Sequence, residues 1–130
     1  MGGAFHICVT VTDDVTGRVL GAAICVHRWL GSGYREDIYA NALAIELADR
    51  RQSFTREASY RVRFRDQEVG LYRPDFVVEQ SLVLELKAIQ SIALDHVRVM
   101  RSYLEVTQLS AGLILNFGEP VLGIRRVLRG

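Results

Sequence analysis

The order of helical and strand-like stretches predicts an α/β chain of the α+β kind, a mixed sheet with helices against its apolar face. Three observations carry that expectation. Two stretches with helical spacing, about 13–30 and 34–51, precede alternating segments that run from 54 to 88. Two polar breaks, Arg65-Asp66-Gln67 and Glu79-Gln80-Ser81, divide that run as hairpin connections do. A third helical stretch, 92–105, separates it from Gly112-Leu113-Ile114-Leu115-Asn116-Phe117, an apolar run of the sort that forms a strand buried on both faces. The core order is helix, strand, strand, strand, helix, strand, with an extra strand and helix in front.

The front strand is read from Phe5, Ile7, Val9 and Val11, which alternate with His6, Cys8, Thr10 and Thr12 as on a short edge strand. Asp13 or Asp14 can cap the first helix, whose apolar face would hold Val15, Val19, Ala22, Val26 and Trp29. Gly17 and Gly21 weaken that helix, so packing must hold it. Gly31-Ser32-Gly33 breaks the chain before the second helix. There Ile38, Ala42 and Ile45 make one stripe, and Tyr39, Leu43 and Leu47 an adjacent one. Glu36 stands a turn before Tyr39, and with Gly33 as N-cap it would occupy N3, where a carboxylate satisfies exposed amides. Strands 54–64 and 68–78 follow, with Arg61, Arg63 and Arg65 alternating on one face. Ser91 can cap the third helix, apolar at Val97, Met100 and Leu104, with His96, Val99 and Tyr103 on a separate stripe. The last strand is expected over 123–128.

A chain of 130 residues, 49% hydrophobic and 24% charged, predicts one globular domain over 1–130 with a sizeable core. A net charge of +1 argues against a broadly basic coat while leaving room for a local arginine cluster. Cys8 and Cys25 lie seventeen residues apart with no C-x-x-C, which suggests neither a zinc site nor a disulfide framework and fits a reducing cytoplasm. The N-terminus has no basic, then apolar, leader pattern, and no run approaches the ~20 apolar residues of a membrane span. No membrane partner is expected.

The second hairpin carries the chemistry. A three-residue loop over Glu79, Gln80 and Ser81 sets Val78 opposite Leu82, Phe76 opposite Leu84 and Asp75 opposite Glu85. Phe76, Val78, Leu82, Leu84 and Leu86 then share an apolar face, and Asp75, Glu85 and Lys87 share the other. A slip of one residue would split the apolar set, so hydrophobic patterning selects the register that gathers two carboxylates and an amine. Lys87 is the single lysine beside fifteen arginines. Whatever drives the chain toward arginine would have converted a decorative lysine too, and a guanidinium is bulkier and always protonated.

Asp75 after Pro74, then Glu85-Leu86-Lys87, resembles the catalytic signature of the PD-(D/E)XK nuclease superfamily. The resemblance implies a restriction-endonuclease-like αβββαβ core, here with an extra N-terminal strand and helix. Asp75 and Glu85 would ligate Mg2+ or Mn2+, with the Leu86 carbonyl as third metal ligand. Lys87 would orient the water, and Glu36, from the first core helix, would be an outer ligand or base. The spacing Gly33-x-x-Glu36-x-x-Tyr39 is similar to that of the small bacterial GxxExxY proteins, a PD-(D/E)XK-like family. That likeness extends through Val26-His27, Leu30-Gly31, Tyr72, Asp75, Glu85-Leu86-Lys87, His96, Tyr103-Leu104 and the strand 112–117. Two departures stand out: Cys25 where that family usually has Glu, and Val99 where it usually has Gln.

The expected activity is metal-dependent phosphodiester hydrolysis of DNA, with Arg61, Arg63, Arg73, Arg98, Arg101, His96 and Tyr103 as nucleic-acid-binding candidates. The alternative is a catalytically degenerate nuclease-like module that binds nucleic acid or a protein partner. A third reading is a homodimer formed through exposed sheet edges near the first and last strands.

Overall fold

The computed structural model describes residues 14–130. The expected edge strand around Phe5 and Val11, with Cys8, lies outside them. Helix α1 (Val15–Leu30) starts at Asp14, whose carboxylate accepts the Gly17 N–H at 2.8 Å. Helix α2 (Glu36–Asp49) follows, then β1 (Phe54–Arg56), β2 (Tyr60–Phe64), β3 (Gln67–Tyr72), β4 (Phe76–Val78) and β5 (Leu82–Lys87). Helix α3 (Leu94–Thr107) crosses to β6 (Ala111–Asn116), which turns back into β7 (Gly123–Leu128). Strands β1-β4-β5-β6-β7 form one mixed sheet in that spatial order, with β5 and β6 parallel and every other pair antiparallel. This is the α+β mixed-sheet, restriction-endonuclease-like architecture.

Each face of the sheet has its own apolar layer, because side chains alternate along every strand. Phe76, Val78, Leu82, Leu84, Leu86, Leu113 and Leu115 pack under α1 and α2 against Val19, Ala22, Tyr39, Leu43 and Leu47. On the opposite face Val77, Val83, Ile114 and Val127 pack against Val97, Met100 and Leu104 of α3. Helices thus cover both faces rather than one, and β6, apolar at nearly every position, is buried throughout. Glu85 and Lys87 lie at the end of the α3-covered layer, where the apolar packing stops.

Several local expectations change. Trp29 is 62% exposed rather than buried with Val19, Ala22 and Val26 of the expected α1 face, and Cys25 is buried beside them. Of the two α2 stripes only Tyr39, Leu43 and Leu47 are buried, and Ile45 stands 65% exposed. Gly33 does not cap α2. It has φ +117°, Arg35 is the N-cap, and Glu36 is the first helical residue rather than N3. Ser91 does not cap α3: the helix begins two residues later than expected, after Ala93. The first long strand is broken at Glu57 (φ +54°), and β2 and β3 leave the main sheet as a separate two-stranded hairpin. Its turn is Arg65 and Asp66 alone, with Phe64 paired to Gln67.

Candidate active site

The β4–β5 hairpin has the register that hydrophobic patterning selects: Phe76 faces Leu84, Val77 faces Val83 and Val78 faces Leu82. Beyond Phe76 the ladder is finished by side chains. Pro74 has no N–H, and its carbonyl accepts the Glu57 N–H (3.0 Å). The Asp75 carboxylate instead accepts the Leu86 N–H through Oδ2 at 2.7 Å, and the Asp75 N–H donates to Glu85 Oε2 at 3.3 Å. Asp75 and Glu85 are therefore locked together where β4 and β5 part.

Glu85 Oε2 also accepts the Tyr72 hydroxyl at 2.6 Å. Burial pushes the Glu85 carboxyl from an ordinary 4.5 up to about 7, with the Asp75 charge adding to the rise and the Tyr72 hydroxyl opposing it. Asp75 is raised too, first by burial, against which the Leu86 N–H and the Lys87 charge pull downward. Burial, then the Glu85 charge, moves the Tyr72 hydroxyl far above the ordinary phenol range, so it stays a donor. Tyr103 from α3 stacks on Tyr72 with ring centroids 3.6 Å apart and planes within 12°. Burial and the same two carboxylates raise its hydroxyl as well.

The site residues fall into two neighbouring recesses. Glu36, Asp37, Arg56, Glu57, Asp75 and Leu86 line a cleft of about 250 Å3 between α2 and the sheet. Glu85, Lys87, His96, Val99 and Tyr103, with Met100 and Ile114 as floor, line a pocket of about 90 Å3 under α3. The Asp75–Glu85 pair joins them. Glu36 belongs to the first recess and not to the second, and its side chain is exposed. Its placement depends on Tyr39, whose hydroxyl donates to the Gly31 carbonyl (2.6 Å) and accepts the Tyr34 N–H (3.2 Å). Gly31 has φ +70°, a conformation that glycine adopts without steric cost. This clamp gives the Gly33-x-x-Glu36-x-x-Tyr39 spacing a physical meaning.

The basic candidates are dispersed. Arg61 pairs with Glu68 (3.4 Å) and Arg98 with Asp95 (2.8 Å), while the Arg73 guanidinium donates to Ser59 Oγ at 3.1 Å. Arg63 and Arg101 are exposed. His96 Nδ1 accepts the Ala93 N–H at 2.8 Å, capping α3, which leaves Nε2 as the protonated nitrogen on the pocket wall. His27 is a packing residue, its Nε2 2.8 Å from the Glu119 carbonyl. No group of three or more His, Cys, Asp or Glu side chains able to hold a metal ion occurs among the described residues. Sequence reasoning missed Arg56 and Glu57, because the stretch 54–64 reads as unbroken strand. It gave Tyr72 no role, because only the folded hairpin brings β3 back beside Glu85.

Residues 13–127 match the sequence profile of the PD-(D/E)XK nuclease superfamily. No curated protein matches the chain. Among solved structures it is similar to SSO0001, at TM-score 0.55 and 16% identity over 72% of this chain, and it spans about half (49%) of that protein's length. It is also similar to an alkaline exonuclease, LHK-Exo, from Laribacter hongkongensis, at TM-score 0.54 and 12% identity over 93% of this chain and 74% of that one. At these identities the structural likeness speaks for the fold, and the profile match over nearly the whole sequence decides the family: the chain belongs to the PD-(D/E)XK nuclease superfamily.

Proposed function

We propose that this protein is a magnesium- or manganese-dependent phosphodiesterase acting on DNA. The observation that carries the reading is the locked Asp75–Glu85 pair with Lys87 two residues farther along β5. The donor set suits a hard divalent cation. Each carboxylate has one oxygen engaged by protein donors and brings a second, and burying two coupled carboxylates leaves a proton-binding excess that a cation relieves. Asp75, Glu85 and the Leu86 carbonyl would hold the ion. When bound, it supplies Lewis-acid polarisation of the phosphate and a more acidic water.

The chain's own residues do the rest. The Leu86 N–H fixes one oxygen of Asp75, and Tyr72 and the Asp75 N–H fix one of Glu85, so neither carboxylate must reorganise during turnover. Lys87 would orient the attacking water and offset charge developing on the phosphate. Hydrolysis forms a P–O bond from water, breaks the bridging P–O bond and passes a proton to the departing sugar oxygen. Glu36, exposed in the adjoining cleft, would take up the water's proton. The Tyr39 clamp supports assignment to the GxxExxY group within the superfamily.

A second reading, a catalytically degenerate binding module, is favoured by two features. Cys25 is buried where that family carries Glu, and Val99 lines the pocket beside Glu85 and Lys87 where it carries Gln. Cleavage of mixed DNA substrates with Mn2+, unmodified protein beside Lys87→Arg, separates the two. The variant is expected to fold normally and bind DNA yet lose ~100-fold or more in cleavage, because Arg keeps the charge but not the compact donor. Equal rates remove Lys87 from the chemistry. Cleavage by neither protein, across metals and substrates, favours the binding module.

A further inference from the structure

The β2–β3 hairpin is built unlike the rest of the molecule. At its inner end Tyr72 is buried and Tyr60 packs against the α3 layer, whereas every residue from Arg63 to Val69 is exposed. Arg63 still lines a recess with Glu105, Val106 and Gln108 at the end of α3, and the tip extends beyond it. Among its polar residues two large apolar side chains are left in solvent, Phe64 59% and Val69 62% exposed. A register shift beside Val62 and Arg63 leaves Val69 without a cross-strand partner. Arg65 lies over the Phe64 ring, its guanidinium carbon 4.9 Å from the centroid.

The turn adds a second observation. Arg65 and Asp66 both have positive φ, +50° and +64°, where Asn-Gly would form the same two-residue turn with less strain. The β4–β5 hairpin closes with the same geometry, Glu79 and Gln80 at φ +50° and +52°, so the turn sets the direction of the tip and does not by itself mark a ligand. Charge points to the occupant. The segment 60–73 holds four arginines against Asp66 and Glu68, net +2, while the whole chain is only +1. From Tyr60, which pairs with Tyr72, to Phe64 the strand spans roughly 13 Å at ~3.3 Å per residue. That is about four nucleotides if they keep the ~3.4 Å per-strand stacking rise of a duplex, measured from the tyrosine that touches Glu85.

We infer that this hairpin grips unpaired nucleotides: a base stacks on the open face of Phe64, which Arg65 backs, and Arg63 meets the adjoining phosphates. The substrate class is then DNA with a single-stranded stretch leading into the Asp75–Glu85 site. This rests on the phosphodiesterase reading for its direction but is tested without cleavage. The probes are a fluorescein-labelled oligothymidylate and a blunt duplex, each of roughly 20 nucleotides per strand, titrated in EDTA and followed by anisotropy. The unmodified protein should bind the single strand more tightly. Phe64→Ala should weaken that binding ~10-fold or more, leave duplex binding within about two-fold, and be rescued by Phe64→Trp, because aromatic stacking tolerates any base and any large ring. No binding of either probe, an equal loss on both or no loss overturns the inference. So does a change in oligomeric state for Phe64→Ala in sedimentation, which would assign the tip to a protein contact. A protein that cleaves DNA while Phe64→Ala keeps its single-strand affinity sinks the grip and leaves the phosphodiesterase standing.

Discussion

Glu85→Gln should make the metal-free protein more stable at mildly alkaline pH. Glu85 titrates near 7 in the folded chain against an ordinary 4.5. A raised folded value means that folding favours the protonated acid, so its contribution is complete below about pH 4.5 and is lost as pH rises through about 7. At ~1.36 kcal/mol per unit, the whole effect is about 3 kcal/mol, most of it still present near pH 5. Gln keeps the shape and a carbonyl oxygen to accept Tyr72 and the Asp75 N–H, but never ionises. Urea denaturation in EDTA at about pH 5 and about pH 8 should show the unmodified protein losing roughly 2 kcal/mol relative to Glu85→Gln. Subtracting one protein from the other removes groups that titrate alike in both. Parallel pH profiles would refute a strained, proton-seeking Glu85. Mn2+ should reverse the order at about pH 8, because only the carboxylate gains from the cation.

Three further outcomes follow from named contacts. Glu36→Gln should reduce cleavage yet cost under about 0.5 kcal/mol in denaturation, because Glu36 is exposed at the first helical position and makes no capping bond to Gly33. Tyr39→Phe should cost about 1–2 kcal/mol by urea denaturation, since it strips the Gly31 carbonyl and Tyr34 N–H of their shared partner, and should lower activity by freeing the start of α2. Gly118→Ala should cost about 3 kcal/mol or more in thermal or urea unfolding: its Cβ would fall 2.6 Å from the Ile89 nitrogen, in backbone that cannot turn aside.

The strands that form the candidate site were legible because hydrophobic alternation admits one register, and Asp75 lies opposite Glu85 in no other. β6 was legible for the opposite reason: a strand covered on both faces has no alternation to lose. The failures share a different cause. Trp29 and Ile45 fit a helical stripe, but a stripe says which residues can face a neighbour, not how wide the neighbour is. Helix starts at Arg35 and Ala93 carry no capping side chain to read; His96 caps α3 from within. Tyr72 and Glu57 take their places only because the chain leaves the sheet at Glu57 and returns at Phe76, a detour that alternation does not register.

The two halves of the site are closed over different lengths of chain, which has a consequence for the order of folding. Asp75 and Glu85 meet across ten residues, through a tight hairpin. The wall behind them is β6, and pairing Leu82 with Ala111 closes twenty-nine residues, including a whole helix. Short loops close first and parallel pairing comes late. The two carboxylates are thus set side by side while still in water, and their mutual repulsion comes into full force only when β6 and α3 arrive. Substitutions at Val78 and Leu82 should therefore slow refolding, whereas substitutions in β6 and β7 should mainly speed unfolding. A refolding solution above about pH 7, where Glu85 arrives ionised and would be buried as an anion, should slow the late step, and Mn2+ should restore it.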